Sequence, residues 1–286
     1  MTDVQFKNIA GVVVIYNPDE RVLLNIESYI SYLRALYIID NSDNQNNFII
    51  DYFPKEGKVH YIHNFSNIGI ASALNIAIKK AVDGNFQFLL TMDHDSVFEE
   101  NSLNGLIEKI SGDHLVGIYS PFHKNKYFTK PPTSREPEEV TDVMTSGNLL
   151  NLDAVKKIGL FREDYFIDYV DIEFCLRLRK NGYKILRVND SFLKHNEGNI
   201  EEKLFFGKNI YLFNHNPLRW YYKIRNYFYL KREYMNLFPE YFLTENKNIR
   251  NNIIKVIFFE KQKLIKIRMM IKGYLHYKSN IFGKLV

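Results

Sequence analysis

Cysteine occurs once in the 286 residues, at Cys175, so the chain can form neither an internal disulfide nor a cysteine-based zinc cluster. That usage fits a reducing compartment. No stretch approaches the ~18 uninterrupted apolar residues of a membrane-spanning helix. The run from Ile9 to Tyr16 is too short for a signal core or a span, no charged-apolar-cleavage pattern surrounds it, and it reads as a strand. Repeats and low-complexity tracts are absent, which leaves one large domain, or one domain with an appendage. Tryptophan is scarce, at one residue, yet 20 Tyr and 22 Phe raise the aromatic share to 15%. With 46% apolar residues there is ample material for a core, which excludes disorder as the default. Acid is scarce only toward the C-terminus. Lys203 to Val286 holds 17 Lys/Arg against four Asp/Glu, while the whole chain carries only +5. Such asymmetry points to an anionic partner.

The first half alternates two hydrophobic periods. Gly11 to Tyr16 is a β-branched strand, broken by Asn17-Pro18-Asp19. Glu20 to Leu33 has helical spacing, Ala35 to Asp40 is a second strand, and Val59 to Ile62 is a short third. Ile70 to Val82 is helical and stops near Gly84; Phe86 to Met92 is a fourth strand. This order predicts an α/β fold with a doubly wound, Rossmann-like half. Beyond it the pattern predicts a helix over Ser102–Ile110, a strand over Val116–Ser120 and a proline-rich loop over Tyr127–Glu138. A strand over Val140–Met144, a helix over Leu152–Ile158 and a helix within Asp168–Asn181 capped by Gly182 follow. Tyr183–Val188 and Phe192–Lys194 read as extended, and the chain past residue 200 as largely helical.

The fourth strand ends in Asp93-His94-Asp95-Ser96. In open α/β sheets ligands bind just beyond the carboxyl ends of the strands, so these carboxylates stand in a cleft, close enough to share one divalent cation. Hard cations such as Mg²⁺ prefer carboxylate oxygens and substrate phosphates, and the pair reads as holding a metal on the diphosphate of a nucleotide-sugar. Asp-x-Asp alone fits a solvated turn equally well. The other strand ends carry Tyr16-Asn17, Asp40-Asn41 and Asn67 to Gly69. A carboxylate such as Asp40 can accept the ring N–H of uracil or thymine, and a helix start after Gly69 suits an anion. Each alone is an ordinary turn residue; four at successive strand ends are harder to dismiss.

A helix from Asp171 to Asn181 and a strand returning from Lys184 to Val188 are each about 15 Å long at ~1.5 and ~3.3 Å per residue, so Asp171 and His195 can return to one edge. Asp171 also fits a simple helix cap, and His195 a surface histidine. Displacement at an anomeric carbon needs a carboxylate to take the acceptor's proton and a cation beside the leaving diphosphate.

From Ile9 to His195 the chain resembles family 2 glycosyltransferases of the GT-A fold, with the likeness strongest to bacterial rhamnosyltransferases. The matching pieces are VVVIYNP (Val12–Pro18), IIDNSD (Ile38–Asp43), NFSNIGIASALNIAI (Asn64–Ile78), TMDHDS (Thr91–Ser96), SGNLL (Ser146–Leu150) and DYVDIEFCLRLRKNGY (Asp168–Tyr183). The subgroup has Gln where His94 stands, a position not expected to bind metal. The resemblance implies a Rossmann-like, mostly parallel sheet flanked by helices, with a catalytic domain over residues 1–200 (nucleotide-sugar half 1–100, acceptor half 101–200) and a helical region over 201–286. It implies Asp93, Asp95 and His195 as ligands of Mg²⁺ or Mn²⁺, Asp171 as catalytic base, and inversion without a covalent intermediate. Tyr16, Asn17, Asp40, Asn67, Gly69 and Asp93 would contact the nucleotide. Gly147, Asn148, Asp168 and Trp220 would lie toward the acceptor. The leading donor is dTDP-rhamnose and the acceptor a saccharide or lipid-linked saccharide. Alternatives are a UDP-hexose transferase of the same fold and a catalytically silent membrane scaffold. A nucleotidyltransferase is discounted because that class carries a Gly-rich basic loop after strand one, where Tyr16-Asn17-Pro18 stands here.

Arg219 to Lys223 and Arg225-Asn226 resemble a segment that follows the catalytic domain in that subgroup. From Ile249 to Leu275 apolar residues at helical spacing alternate with Arg250, Lys255, Lys261, Lys263, Lys266, Arg268 and Lys272. Such a helix can lie on an anionic membrane surface or pack on the catalytic domain with a solvated basic face. The expectation is a cytoplasmic enzyme, peripheral at the membrane's inner face, with no nucleic-acid partner.

Overall fold

A strand buried on both faces carries no alternation, and the run Ile9–Ile15 has none. In the computed structural model, which describes residues 8–53, 57–124, 132–195, 200–205 and 208–285, it is β1 (Ile9–Ile15), buried throughout. The chain continues through α1 (Arg21–Ile30), β2 (Ala35–Asp40), α2 (Asn47–Tyr52), β3 (Val59–His63), α3 (Ile70–Asp83) and β4 (Phe88–Asp93). Next come β5 (Ser96–Phe98), α4 (Ser102–Glu108), β6 (Val116–Lys124), β7 (Glu138–Glu139), β8 (Asn148–Asn151), α5 (Leu152–Ile158), α6 (Val170–Lys180) and β9 (Lys184–His195). The hairpin β10 (Glu201–Phe205) and β11 (Lys208–Leu212) precedes α7 (Pro217–Tyr234), α8 (Pro239–Phe258) and α9 (Lys263–Lys278). The chain divides into two compact units. One joins Met1–Glu163 to Phe174–Asn196; the other joins Asp164–Glu173 to Glu197–Val286.

The first unit is built on a sheet of order β3-β2-β1-β4-β8-β6-β9-β5, with β7 beside β9. β3, β2, β1 and β4 are parallel, and β8 enters antiparallel between β4 and β6. Ile9, Val13 and Ile15 share a cluster with Val22, Ile26 and Tyr29 of α1. Side chains alternate along a strand, so Ala10, Val12 and Val14 are left for the face on which α3 packs Ala71, Leu74 and Ile78.

The parallel half follows the hydrophobic period closely, but the second half departs from it. Val140–Met144 is not a strand. It is tethered by single bonds, Val140 N–H to the Ile185 carbonyl and Arg179 to the Val140 carbonyl, and the ladder begins only after Gly147, at φ 81°. The stretches expected at Tyr183–Val188 and Phe192–Lys194 run together as one strand, β9, which starts at Lys184 and is bulged in its pairing with β6. Of the loop expected over Tyr127–Glu138, residues 127–131 lie outside the described residues.

In the second unit the basic stretch Ile249–Leu275 is two helices, not one. The chain folds back at Phe259–Gln262, where Gln262 is left-handed at φ 55°. Lys266 does not join a solvated face; its ammonium is enclosed and donates to the Glu260 carboxylate at 2.7 Å. Phe166, Tyr221 and Tyr222 form a small core with Met269 of α9. No described helix is long and apolar enough to cross a membrane.

Two glycines predict opposite responses to alanine. A Cβ on Gly273 of α9 would fall inside contact distance of the Tyr221 backbone carbonyl and 3.3 Å from the Arg225 nitrogen, so α7 and α9 would have to separate. Overpacking of this kind costs about 1–3 kcal/mol, against a helix-propensity gain of about 1 kcal/mol. Gly105 of α4 has nothing within 4 Å, so only the gain remains. In thermal unfolding Gly273→Ala should lower the melting temperature by a few degrees and Gly105→Ala should raise it. A Gly273→Ala protein that melts above the parent would refute the close approach of the two helices.

Candidate active site

Parallel strands pointing one way deliver their C-terminal residues to one edge. Pairing of Ile15 with Asp40, and of Val14 with Asp93, puts the ends of β1, β2 and β4 side by side. The turns beyond are stitched together. Asn17, left-handed at φ 45°, donates its N–H to Ser42 Oγ at 2.8 Å. Asn41 Nδ2 donates to the Gly69 carbonyl, and Asn64 Nδ2 to Asn41 Oδ1. Asn67 Oδ1 accepts the Gly69 N–H at 2.9 Å, and Gly69, at φ 89°, opens α3. Tyr16, Asn17, Asp40, Asn67, Gly69 and Asp93 are thus gathered at one edge of the first unit.

Within that edge burial separates them. Tyr16 and Asn17 are exposed, whereas Asp40 is fully enclosed. Its carboxylate accepts from the Ser42 N–H (2.8 Å), Asn46 Nδ2 (2.7 Å) and the Tyr61 hydroxyl. Burial alone would raise its pKa; the bonds from Tyr61, Ser42 and Asn46 together outweigh it and hold the carboxyl below the usual range. A depressed folded-state pKa means these bonds stabilise the fold above the unfolded carboxyl's pKa, a contribution lost as pH falls through the lowered value. Asp40 therefore braces the edge, with Tyr61 and Asn46, which the sequence reading did not single out.

Asp93 and Asp95 are half-buried at the end of β4. The Asp93 N–H donates to Ser146 Oγ (3.0 Å), Gly147 N–H to the Thr91 carbonyl (2.6 Å), and Asn25 Nδ2 to the His94 carbonyl (2.8 Å). Asn148, buried beside them, donates to the Met144 carbonyl at 2.7 Å. Gly147 and Asn148 thus flank the end of β4, and Ser146 and Asn25 fix the turn between its carboxylates. The signal for Asn25 is a polar residue bordering the apolar stripe of α1. Buried Tyr29 carries a hydroxyl without a hydrogen-bond partner among the described residues; burial, and then the charge of Asp93, push its phenol far up and keep it neutral.

The ladder of β5 with β9 pairs Ser96 with His195, so the His195 backbone stands next to the Asp95 turn. Its imidazole lies outside the described side chains. Among the described residues no group of three His, Cys, Asp or Glu is placed to hold a metal. The two carboxylates are hard oxygen donors, a set that suits Mg²⁺ or Mn²⁺ taking its other ligands from phosphate oxygens and water.

The remaining acids belong to the second unit, and their surroundings differ. Asp168 pairs with Arg219 at 3.0 Å. Glu173 is enclosed and accepts the Tyr234 hydroxyl at 2.9 Å. Asp171 is half-buried in the first turn of α6, where its Oδ1 accepts the Ile172 N–H at 2.9 Å. Trp220 is buried under the Lys223 ammonium, 5.5 Å from its ring, and its indole N–H has no partner among the described residues. His215 is held down to about 4 by burial and then by the charges of Arg219 and Lys223, so it is neutral at pH 7.

The family model of "Glycosyl transferase family 2" matches residues 12–170. The chain is 30% identical over 245 residues, covering 79% of itself and 80% of the relative, to the dTDP-rhamnosyl transferase RfbF of Shigella flexneri. Among solved structures it is similar to GalNAc-T7, crystallised with UDP, GalNAc and Mn²⁺, with a TM-score of 0.63 at 16% identity over 98% of this chain. It spans only 57% of that protein's chain. Residues 1–349 of TarS from S. aureus match with a TM-score of 0.52 at 14% identity, over 95% of this chain and 72% of that one. At such identities the structures establish the fold, which is GT-A. The sequence matches establish the rest: this chain belongs to glycosyl transferase family 2 and is a glycosyltransferase.

Proposed function

We propose that the enzyme transfers L-rhamnose from dTDP-rhamnose to a hydroxyl of a cell-surface polysaccharide or lipid-linked oligosaccharide precursor, with inversion and with a divalent cation. The observation that carries the donor is the 30% identity to a dTDP-rhamnosyl transferase across 79% of the chain. Residues 1–200 form the catalytic domain in this reading, with the nucleotide on the half up to residue 100. Tyr16 and Asn17, exposed at the end of β1, face the nucleotide. Asp40, Asn67 and Gly69 shape the turns beside it.

Asp93 and Asp95, with His195, would hold Mg²⁺ or Mn²⁺, which supplies neutralisation of the charge growing on the leaving diphosphate. Asp171 takes the proton of the acceptor hydroxyl as it attacks. Its half-buried place in the first turn of α6 supports that role, whereas Glu173, two residues on, is enclosed by the protein. Gly147, Asn148, Asp168 and Trp220 belong to the acceptor side.

The C-terminal helices support residence at the cytoplasmic face of an anionic membrane. On α8, Leu243, Lys247, Arg250, Ile254 and Phe258 recur every three or four residues and are all exposed; on α9, Leu264, Arg268, Ile271 and Leu275 do the same. Leu264 is 79% and Phe258 67% exposed, either side of the turn between the helices. From Asn246 to Leu285 the one carboxylate is Glu260, and it is enclosed with Lys266. A face of mixed leucine, isoleucine and cation, with Glu240 in the first turn of α8 as an exposed acid at its start, suits a bilayer bearing anionic headgroups.

Four outcomes are expected. In a panel of nucleotide-sugars, dTDP-rhamnose should raise the melting temperature most and be slowly hydrolysed, both only with Mg²⁺ or Mn²⁺. Asp95→Ala should weaken dTDP binding with the metal and leave it unchanged in chelator; preference for UDP-galactose would overturn the donor. Asp171→Asn should bind donor and metal normally but lose transfer by ~10²–10⁴-fold, the usual worth of a general base; normal turnover would place the base elsewhere. The protein should sediment with phosphatidylglycerol vesicles, release in high salt, ignore phosphatidylcholine and lose binding in Leu264→Glu. Equal recovery with both lipids would argue against the anionic surface.

A further inference from the structure

Arg225 and Asn226 are adjacent in α7, and neither is accessible to water. All five N–H donors of the guanidinium are used. Nε donates to Asn226 Oδ1 (3.0 Å), and Nη1 to the Gly283 carbonyl (2.6 Å) and the Tyr221 hydroxyl (3.3 Å). Nη2 donates to the carbonyls of Asp164 and Tyr165, both at 3.1 Å. No acceptor is a carboxylate. A buried cation with only neutral partners is a costly way to stabilise a core, since well-packed apolar residues commonly do as well or better.

Asn226 makes the same connection. Its Nδ2 lies 2.9, 2.8 and 2.9 Å from the carbonyls of Tyr165, Ile167 and Asp168, so two hydrogens serve three acceptors. The amide orientation is forced: reversed, its oxygen would face three carbonyl oxygens and its nitrogen the Arg225 N–H.

The segment these two side chains hold is strained. Phe166, Asp168 and Tyr169 are all left-handed, at φ 64°, 61° and 63°, which costs on the order of 1–3 kcal/mol each for non-glycine residues. Such backbone persists only where its surroundings over-determine it. It leads straight into α6: the Tyr169 carbonyl accepts the Glu173 N–H at 3.0 Å, and Asp171 lies inside that first turn.

We propose that Arg225 and Asn226 are positioning residues for glycosyl transfer. Through the carbonyls of Asp164, Tyr165, Ile167 and Asp168 they hold the strained entry to α6 in the one conformation that aims the Asp171 carboxylate. Enclosed as they are, they act through the backbone and touch no reacting atom. The inference rests on the reading of Asp171 as the base.

The test uses the full chain, with hydrolysis of the nucleotide-sugar selected by the panel, water standing in for the acceptor. Asn226→Ser and Arg225→Lys are compared with Asp171→Asn, and Asn226→Ser is also made in the Asp171→Asn background. Asn226→Ser should lower kcat by ~10–100-fold, the scale of an ångström of misplacement, while dTDP affinity with Mn²⁺ and the KM for donor stay within about twofold. The acid limb of its pH–rate profile should move. In the Asp171→Asn background the same substitution should cost nothing further, because the group it aims is gone. Equal losses in both backgrounds, or a normal kcat in folded Asn226→Ser while Asp171→Asn is inert, would overturn this inference and leave the base reading standing. Asp171→Asn with normal hydrolysis would overturn the base reading itself. If Asn226→Ser does not fold, Arg225→Lys, which keeps the charge and drops donors to Asp164 and Tyr165, is judged by the same kcat, KM and pH criteria.

Discussion

β4 is hydrogen-bonded on both flanks, to β1 in parallel and to β8 in antiparallel sense, and from Leu89 to Met92 it is closed to water. A central strand so enclosed can present polar chemistry only where it leaves the sheet. The chain leaves at Asp93, and the turn to β5 follows within two residues. Everything around that turn serves to fix it: Ser146 takes the Asp93 N–H, and Asn25 reaches from α1 to the His94 carbonyl. The antiparallel insertion of β8 matters as much as β4 itself. It brings Ser146, Gly147 and Asn148 alongside, which a purely parallel sheet, with the next strand running the other way, would not do.

The second unit solves a different problem. Its segment 164–173 must pass from a tight turn into the first turn of α6 without glycine, through three left-handed residues. Local propensity opposes that path, so non-local bonds have to impose it. α7 supplies them from two buried polar side chains, and the C-terminal tail adds the Gly283 N–H to the Asp164 carbonyl. A largely buried helix thus carries, in Arg225 and Asn226, the restraints on a loop some sixty positions earlier in the chain.

The legibility of this chain in its sequence follows the same division. The parallel half was readable because β-branched runs and helical stripes there alternate with short polar breaks; Ala35–Asp40 and Ile70 onward begin where the pattern says. The strand ends were readable as a set for the same reason. The strand misplaced to Val140–Met144 shows the limit: Val140 and Val143 have strand propensity, but the ladder position between β4 and β6 is taken by Asn148–Asn151, a tertiary choice that no local period records. The hairpin β10–β11 and the fold-back at Gln262 were hidden likewise. The resemblance to family 2 glycosyltransferases supplied roles for Asp93, Asp95, Asp171 and His195, yet it could not supply the bonds of Arg225 and Asn226, which join residues some sixty positions apart.

Burial separates acids that composition treats alike. Asp40 and Glu173 are enclosed, and their oxygens accept from Tyr61 and Tyr234, Ser42 and Asn46; a carboxylate so supplied is an anchor, because unmaking those bonds would strand a buried charge. Asp93, Asp95 and Asp171 are half-buried, each at the point where an element begins or ends. Half-burial suits chemistry. Enough water is excluded to strengthen attraction to a cation or a proton in flight, and enough access remains for a substrate to arrive. Moving a carboxylate from one group to the other takes only a shift in how far its strand or helix extends before the chain turns. The enclosed acids therefore do structural work: Asp40 fixes the turn where β2 ends, and Glu173 ties the first turn of α6 to Tyr234 of α7.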